Sequence, residues 1–88
     1  MSFSIQIKES AAEELGRVSK QDQKRIVVAI DRLKETPNLG ALLKGGFRGL
    51  RRLRVGDYRV IYEVQNEELV VLVVRIAHRR DAYRTAVS

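Results

Sequence analysis

Cysteine is absent from this 88-residue chain, histidine and proline occur once each, and aromatic side chains make up only 6% of it. Without cysteine neither a disulfide nor a thiolate zinc site can form. A lone histidine excludes a multi-histidine metal centre, and no metal or cofactor is expected. Neither a serine–histidine–carboxylate arrangement nor a working carboxylate pair finds a clear candidate. The longest apolar run, residues 69–74, is far too short to span a bilayer, so no membrane role is expected. The first residues, MSFSIQIKES, lack a basic leader and a long apolar stretch, and a cytoplasmic protein is the expectation. Glycines 40, 45, 46 and 49 are too irregularly spaced for a nucleotide-binding fingerprint.

What the chain does have is apolar residues, 44% of it, and arginine in strand-like segments. That apolar content and length predict one folded domain over residues 1–88. The net charge is +6. Residues 1–43 carry seven Lys/Arg against six Asp/Glu, whereas residues 44–88 carry ten against five. The excess sits in the second half, where it either attracts a polyanion or serves as a solvated basic face.

Phe3, Ile5 and Ile7 alternate with polar residues, the period of a strand with one buried face. Ser10, with Glu13 three positions on, predicts a capped helix start, and Ser19 with Asp22 repeats the pattern. The second helix carries Ile26, Ile30 and Leu33 on one face and runs to about Lys34, ahead of Pro37. Two nearly contiguous helices predict an antiparallel hairpin. Residues 36–49 read as a loop, with a short turn at residues 41–44. Beyond it Leu53 and Val55 alternate with Arg52 and Arg54. Gly56-Asp57 and residues 65–67 read as turns, and residues 69–76 as a central strand covered on both faces. The expected fold class is therefore α+β: an N-terminal strand, the helix hairpin, then a three-stranded antiparallel meander, with both helices on one sheet face.

The other face, or its rim, must receive the arginines. Arg52 and Arg54 share it by alternation, Arg59 lies on the next strand, and Arg75 and Arg79 share a face of the last one. Converging guanidinium groups bind a phosphodiester bidentately and stabilise the charge of a pentavalent phosphorane. Alternatively, some of them pair with Asp57, Glu63 and Asp81 as ordinary surface charges. Tyr83 is either a stacking platform for an unpaired base or an anchor for the chain end. Tyr58 and Tyr62 share a face and read as packing residues. His78 is the one side chain suited to proton transfer at neutral pH, yet alternation sets it with Ile76, opposite Arg75 and Arg79.

At LRRLRVGDYRVIYEV (residues 50–64) and RIAHRRDAYR (residues 75–84) the chain resembles the RelE/ParE superfamily of bacterial and archaeal type II toxins. The G-D-Y-R-V-I-Y core and the H-R-R-x-x-Y-R ending carry the likeness, which extends over nearly the whole chain. The resemblance implies a RelE-like microbial ribonuclease fold that cleaves mRNA, typically on the ribosome, without metal. The 2′-hydroxyl attacks the adjacent phosphate. By similarity Arg52 helps activate the nucleophile, Arg59 holds the scissile phosphate, Arg79 assists the leaving group and Tyr83 stacks on or orients the substrate. His78 stands in for the histidine that some relatives use to move protons. Lys44, Arg51 and Arg54 are implied as further RNA contacts. Where RelE has lysines, this chain has Leu50 and Arg52. Arginine keeps its proton, so Arg52 acts by electrostatic stabilisation rather than as a base.

The same resemblance leaves a second function open, a ParE-like DNA gyrase inhibitor without nuclease activity. A non-catalytic nucleic-acid-binding module is a third. Either toxin reading implies a cognate RelB-like antitoxin that forms a hetero-oligomer with the toxin. Such a partner lays an extended segment and a helix over apolar surface and sets acidic groups against the basic face.

Overall fold

In the computed structural model, residues 2–45 and 49–81 are described. Strand β1 (Ser4–Ile7) is followed by helices α1 (Glu9–Gly16) and α2 (Lys20–Arg32). Then come β2 (Ala41–Leu42), β3 (Leu50–Val55), β4 (Tyr58–Gln65) and β5 (Val70–His78). The five strands form one sheet in the order β1-β5-β4-β3-β2. The meander β3-β4-β5 is antiparallel, and β1 pairs parallel with β5, Ser4 opposite Val70 and Ile7 opposite Val73. The α+β class and the meander match the sequence reading. No helix among the described residues is long and apolar enough to cross a membrane.

One sheet face carries the helices. Val60 and Tyr62 of β4 and Val71, Val73 and Ile76 of β5 pack with Ala11, Val18, Ile26, Ile30 and Leu33. The 3.6-residue spacing of Ile26, Ile30 and Leu33 turns one stripe of α2 onto the sheet, each residue at most 4% exposed. Ser19 caps α2 as expected, its hydroxyl accepting from the Asp22 N–H at 3.3 Å. The corresponding expectation for α1 fails. That helix starts at Glu9 with Lys8 at its N-cap and no side-chain capping bond, so Ser10 already lies inside the first turn. Tertiary contact decides the start: the Lys8 N–H donates to the Val73 carbonyl, the last bond of the parallel ladder, and the chain turns there.

The additional strand β2 is the second departure. Residues 41 and 42 pair with Arg52 and Arg51 instead of forming a turn, and the Leu43 N–H to Leu50 carbonyl bond extends the ladder. Two residues are too few to show a period. The cause lies one position earlier. A Cβ on Gly40 would sit 2.6 Å from the Arg52 carbonyl oxygen and 2.9 Å from the Tyr62 hydroxyl, so only glycine lets the chain come this close to β3. Tyr62 fixes the approach. Its buried hydroxyl donates to the Pro37 carbonyl at 2.7 Å and accepts from the Gly40 N–H at 2.8 Å.

Burial pushes the Tyr62 phenol above its ordinary value of 10.0, against the smaller opposing effects of the Gly40 hydrogen bond and the Arg51 charge. A raised folded-state pKa adds stability that is complete below the unfolded value and is lost as pH rises through the folded one. Tyr62→Phe should therefore destabilise by about 1–3 kcal/mol at neutral pH, because it leaves the Gly40 N–H and Pro37 carbonyl unpaired. It should also flatten the loss of stability above pH 10.0. Urea unfolding followed across pH measures both.

Candidate phosphate-binding face

The register places the arginines. Arg52 of β3 lies opposite Ile61 of β4, which lies opposite Arg75 of β5. One step along, Arg54 faces Arg59 and Arg59 faces Ala77. Both rows belong to the face opposite Leu53, Val60, Tyr62 and Ile76, and so opposite the helices.

An irregularity in β5 is what brings Arg75 there. Tyr62 pairs with Val73 and Ile61 with Arg75, so Val74 is an extra residue, a β-bulge. Val71 and Val73 point into the core. Unbroken alternation would send Arg75 and Ala77 after them. The bulge reverses the phase, so Ile76 enters the core and Arg75 and Ala77 take the open face. The Arg79 N–H donates to the Asp57 carbonyl at 2.7 Å, which continues the ladder by one bond and keeps Arg79 in phase with Arg75. Arg52, Arg54, Arg59, Arg75 and Arg79 are thus assigned to one side of the sheet.

His78 takes the other side. Its ring meets Tyr58 edge-on, centroids 5.6 Å apart and planes at 77°, and its Nδ1 accepts from the Arg80 N–H at 3.3 Å. The register sets it outside the arginine rows, yet with Arg75, Glu14 and Asp81 it lines a concavity of about 260 Å³. Arg51 is likewise turned away: its Nη1 donates to the Gly40 carbonyl at 2.6 Å and to the Asn38 carbonyl at 3.4 Å. It holds the 38–40 loop against the helix side of the sheet. Lys44 is exposed just past β2, beside the Leu50 end of β3 rather than the Arg59–Arg79 end. Tyr83 lies outside the described residues.

Sequence reasoning missed one participant, Glu14. Arg75 ion-pairs with Glu14 of α1 at 3.7 Å, and both side chains are three-quarters or more buried. Glu14 also accepts the Ile76 N–H at 2.8 Å, covering the edge of β5 that β1 leaves free. Nothing in the spacing of a helical glutamate and a strand 62 positions away announces this contact. A concavity of about 290 Å³ opens beside it, floored by Leu50, Ile61 and Val74 and walled by Arg75, Glu14, Ser10 and Lys8. A second, about 460 Å³, lies between α2 and β3, where Lys24, Arg25, Arg32 and Arg54 surround Val28, Ala29 and Val55.

Directly opposed like charges destabilise a sheet, and Arg54 against Arg59 is such a pair. Among the described residues the Arg59 Nη1 reaches the Tyr58 carbonyl, at 3.2 Å. Arg54→Gln should raise stability by roughly 0.2–1 kcal/mol at low ionic strength. The gain should shrink as added salt screens the pair, and thermal melts at two salt concentrations test it.

Comparison with known proteins agrees with this architecture. The family model for the ParE toxin of the type II toxin–antitoxin system parDE matches residues 5–83. Toxin RelG of Mycobacterium tuberculosis is 33% identical over 54 residues, a stretch covering 61% of this chain and 62% of that protein. Among solved structures, the RelBE2 toxin–antitoxin complex of M. tuberculosis superposes with a TM-score of 0.84 at 22% identity, over 90% of this chain and 100% of that one. The archaeal RelE–RelB complex of Pyrococcus horikoshii gives 0.79 at 28% identity, over 93% and 100%. The isolated E. coli RelE toxin gives 0.78 at 22%, over 98% and 96%. With its strand order, its helix-covered face and a family match running almost end to end, the chain belongs to the ParE toxin family of type II toxin–antitoxin systems, within the RelE/ParE superfamily.

Proposed function

We propose that this toxin is a metal-independent endoribonuclease that cleaves mRNA, in association with the ribosome. The observation that carries the reading is the assignment of Arg52, Arg59 and Arg79 to one open sheet face, with the opposed Arg54–Arg59 pair left for an anion to neutralise. In the proposed reaction the 2′-oxygen bonds to phosphorus as the P–O5′ bond breaks. The 2′-hydroxyl proton leaves and the 5′-oxygen gains one, giving a 2′,3′-cyclic phosphate and a 5′-hydroxyl. Arg59 holds the non-bridging oxygens, Arg52 stabilises the phosphorane charge, and Arg79 offsets charge on the departing oxygen. Tyr83 stacks against the substrate base. Guanidinium groups stay protonated throughout, so the protein contributes charge and orientation rather than a titrating base.

A RelB-like antitoxin is the proposed partner. Val27 and Val28 on α2 are 51% and 63% exposed, and the nearby groove has a cationic rim, a surface fitted to an acidic amphipathic segment. The ParE family match favours a second reading, gyrase inhibition without cleavage. Inhibited supercoiling with intact mRNA would establish it.

Primer extension on mRNA after brief induction tests the main reading. Wild type should cut, and Arg59→Ala should lower the cleavage rate by about 10²–10³-fold. An unchanged pattern in Arg59→Ala/Arg79→Ala would overturn the assignment. His78→Asn should cost less than about tenfold, below the 10²–10⁴ expected for loss of a general acid or base.

A further inference from the structure

We infer that Glu14 is a positioning residue for Arg79, acting through Arg75 and the turn that follows β5. The contacts form a chain. One carboxylate oxygen of Glu14 accepts the Ile76 N–H at 2.8 Å, and the other lies 3.7 Å from Arg75 Nη2. That same Nη2 donates to the Asp81 carbonyl at 3.2 Å. The Asp81 N–H donates to the His78 carbonyl at 2.8 Å, closing the turn that contains Arg79. On its other side the turn is tied by the Arg79 N–H to Asp57. Arg79 therefore sits on a short exposed turn held from two directions, by the β3–β4 hairpin and by α1.

The brace is needed because β5 outruns its neighbour. β1 stops opposite Val73, so the remaining residues of β5 have no strand on that side. A free edge next to a bulge is a place where a strand twists and frays. Glu14 satisfies one edge N–H and holds Arg75, which is only 19% exposed and whose Nε is buried without a partner. Arg75 cannot leave the carboxylate cheaply, since a partly buried charge would lose its counterion. Its Nη2 is committed to Glu14 and Asp81, which marks Arg75 as a link in the brace rather than a phosphate ligand.

The kinetic part of the test rests on the nuclease reading, and a structural measurement stands beside it. Amide hydrogen exchange is followed at Arg79 and Asp81, with Phe3 N–H, bonded to Lys34, as the distant reference. Glu14→Ala should exchange at least about tenfold faster at Arg79 and Asp81 and unchanged at Phe3, as local opening predicts. Single-turnover cleavage by Glu14→Ala should fall about tenfold to a hundredfold, the cost of misplacing a reacting group, with KM held within about twofold. Glu14→Gln, which keeps an acceptor for Ile76, should recover part of the loss. In an Arg79→Ala background, Glu14→Ala should cost less than about twofold more, because residues acting through one another are not additive. Unchanged exchange at Arg79, or full additivity of the two substitutions, overturns the inference. Faster exchange in a protein whose wild type cuts no RNA overturns the nuclease reading while the brace stands.

Discussion

Where β5 points after Val73 determines whether its arginines join the cationic face that β3 and β4 present. The first half of the strand is a core strand, its Val71 and Val73 packed beneath both helices. Had the two-residue period run on, Arg75 would have been driven into that core, where a guanidinium without water or counterion costs several kcal/mol. One extra residue, Val74, reverses the phase and exchanges Arg75 for Ile76. The bulge thus serves both layers at once. It completes the hydrophobic core with Ile76, and it sends the cations to the side that solvent and ligand can reach.

The face so formed is a poor arrangement for stability. Arg54 opposes Arg59 across β3 and β4, and Arg75 relies on a carboxylate from a different element. Structural ion pairs usually alternate in sign along a sheet surface, because each cross-strand pair then attracts. Here Glu63 shares the open face, where it accepts from Gln65, and Glu14 comes in from α1 over the edge. The cost has to be carried by the core. Tyr62, Ile26, Leu33, Val60 and Val71 are fully buried there, and Tyr62 also anchors the 37–40 segment that makes the outer strand possible.

Much of this was legible in the residues. Alternation in β3 and β4 placed Arg52 and Arg54 opposite Leu53 and Val55, and the stripe of Ile26, Ile30 and Leu33 identified the buried side of α2. The opposite phase of His78 to Arg75 followed from local alternation alone. What local pattern could not supply was phase across a run in which nearly every residue is apolar. Residues 69–74 carry no polar marker, so the bulge within them leaves no trace in the sequence. The misreading at Ser10 has a related cause. Ser10 and Glu13 satisfy a local capping rule, but the helix start is set by the bond from Lys8 to Val73, a partner far along the chain. Arg51 and Arg52 look alike in sequence, and only the closeness of Gly40 to β3 gives Arg51 two carbonyls to hold.

The choice of arginine over lysine or histidine on this face constrains any chemistry it performs. A site that works by proton transfer needs a group able to change charge near neutral pH, and the one such side chain, His78, packs on Tyr58 outside the arginine rows and shares a concavity with Arg75 alone of those arginines. A site built from guanidinium groups can only hold, orient and stabilise negative charge. Its effectiveness then depends on how little those groups move as the charge develops, since reorganisation during the reaction would cancel the gain. For such a site, contacts remote from the guanidinium groups matter as well. Tyr62 fastening the loop beside β3 and the Arg79 N–H tied to Asp57 act on backbone, and Glu14 closing the edge of β5 acts on backbone and on the Arg75 guanidinium. Rigidity of the strands, more than the chemistry of any one side chain, is what such a face has to offer a transition state.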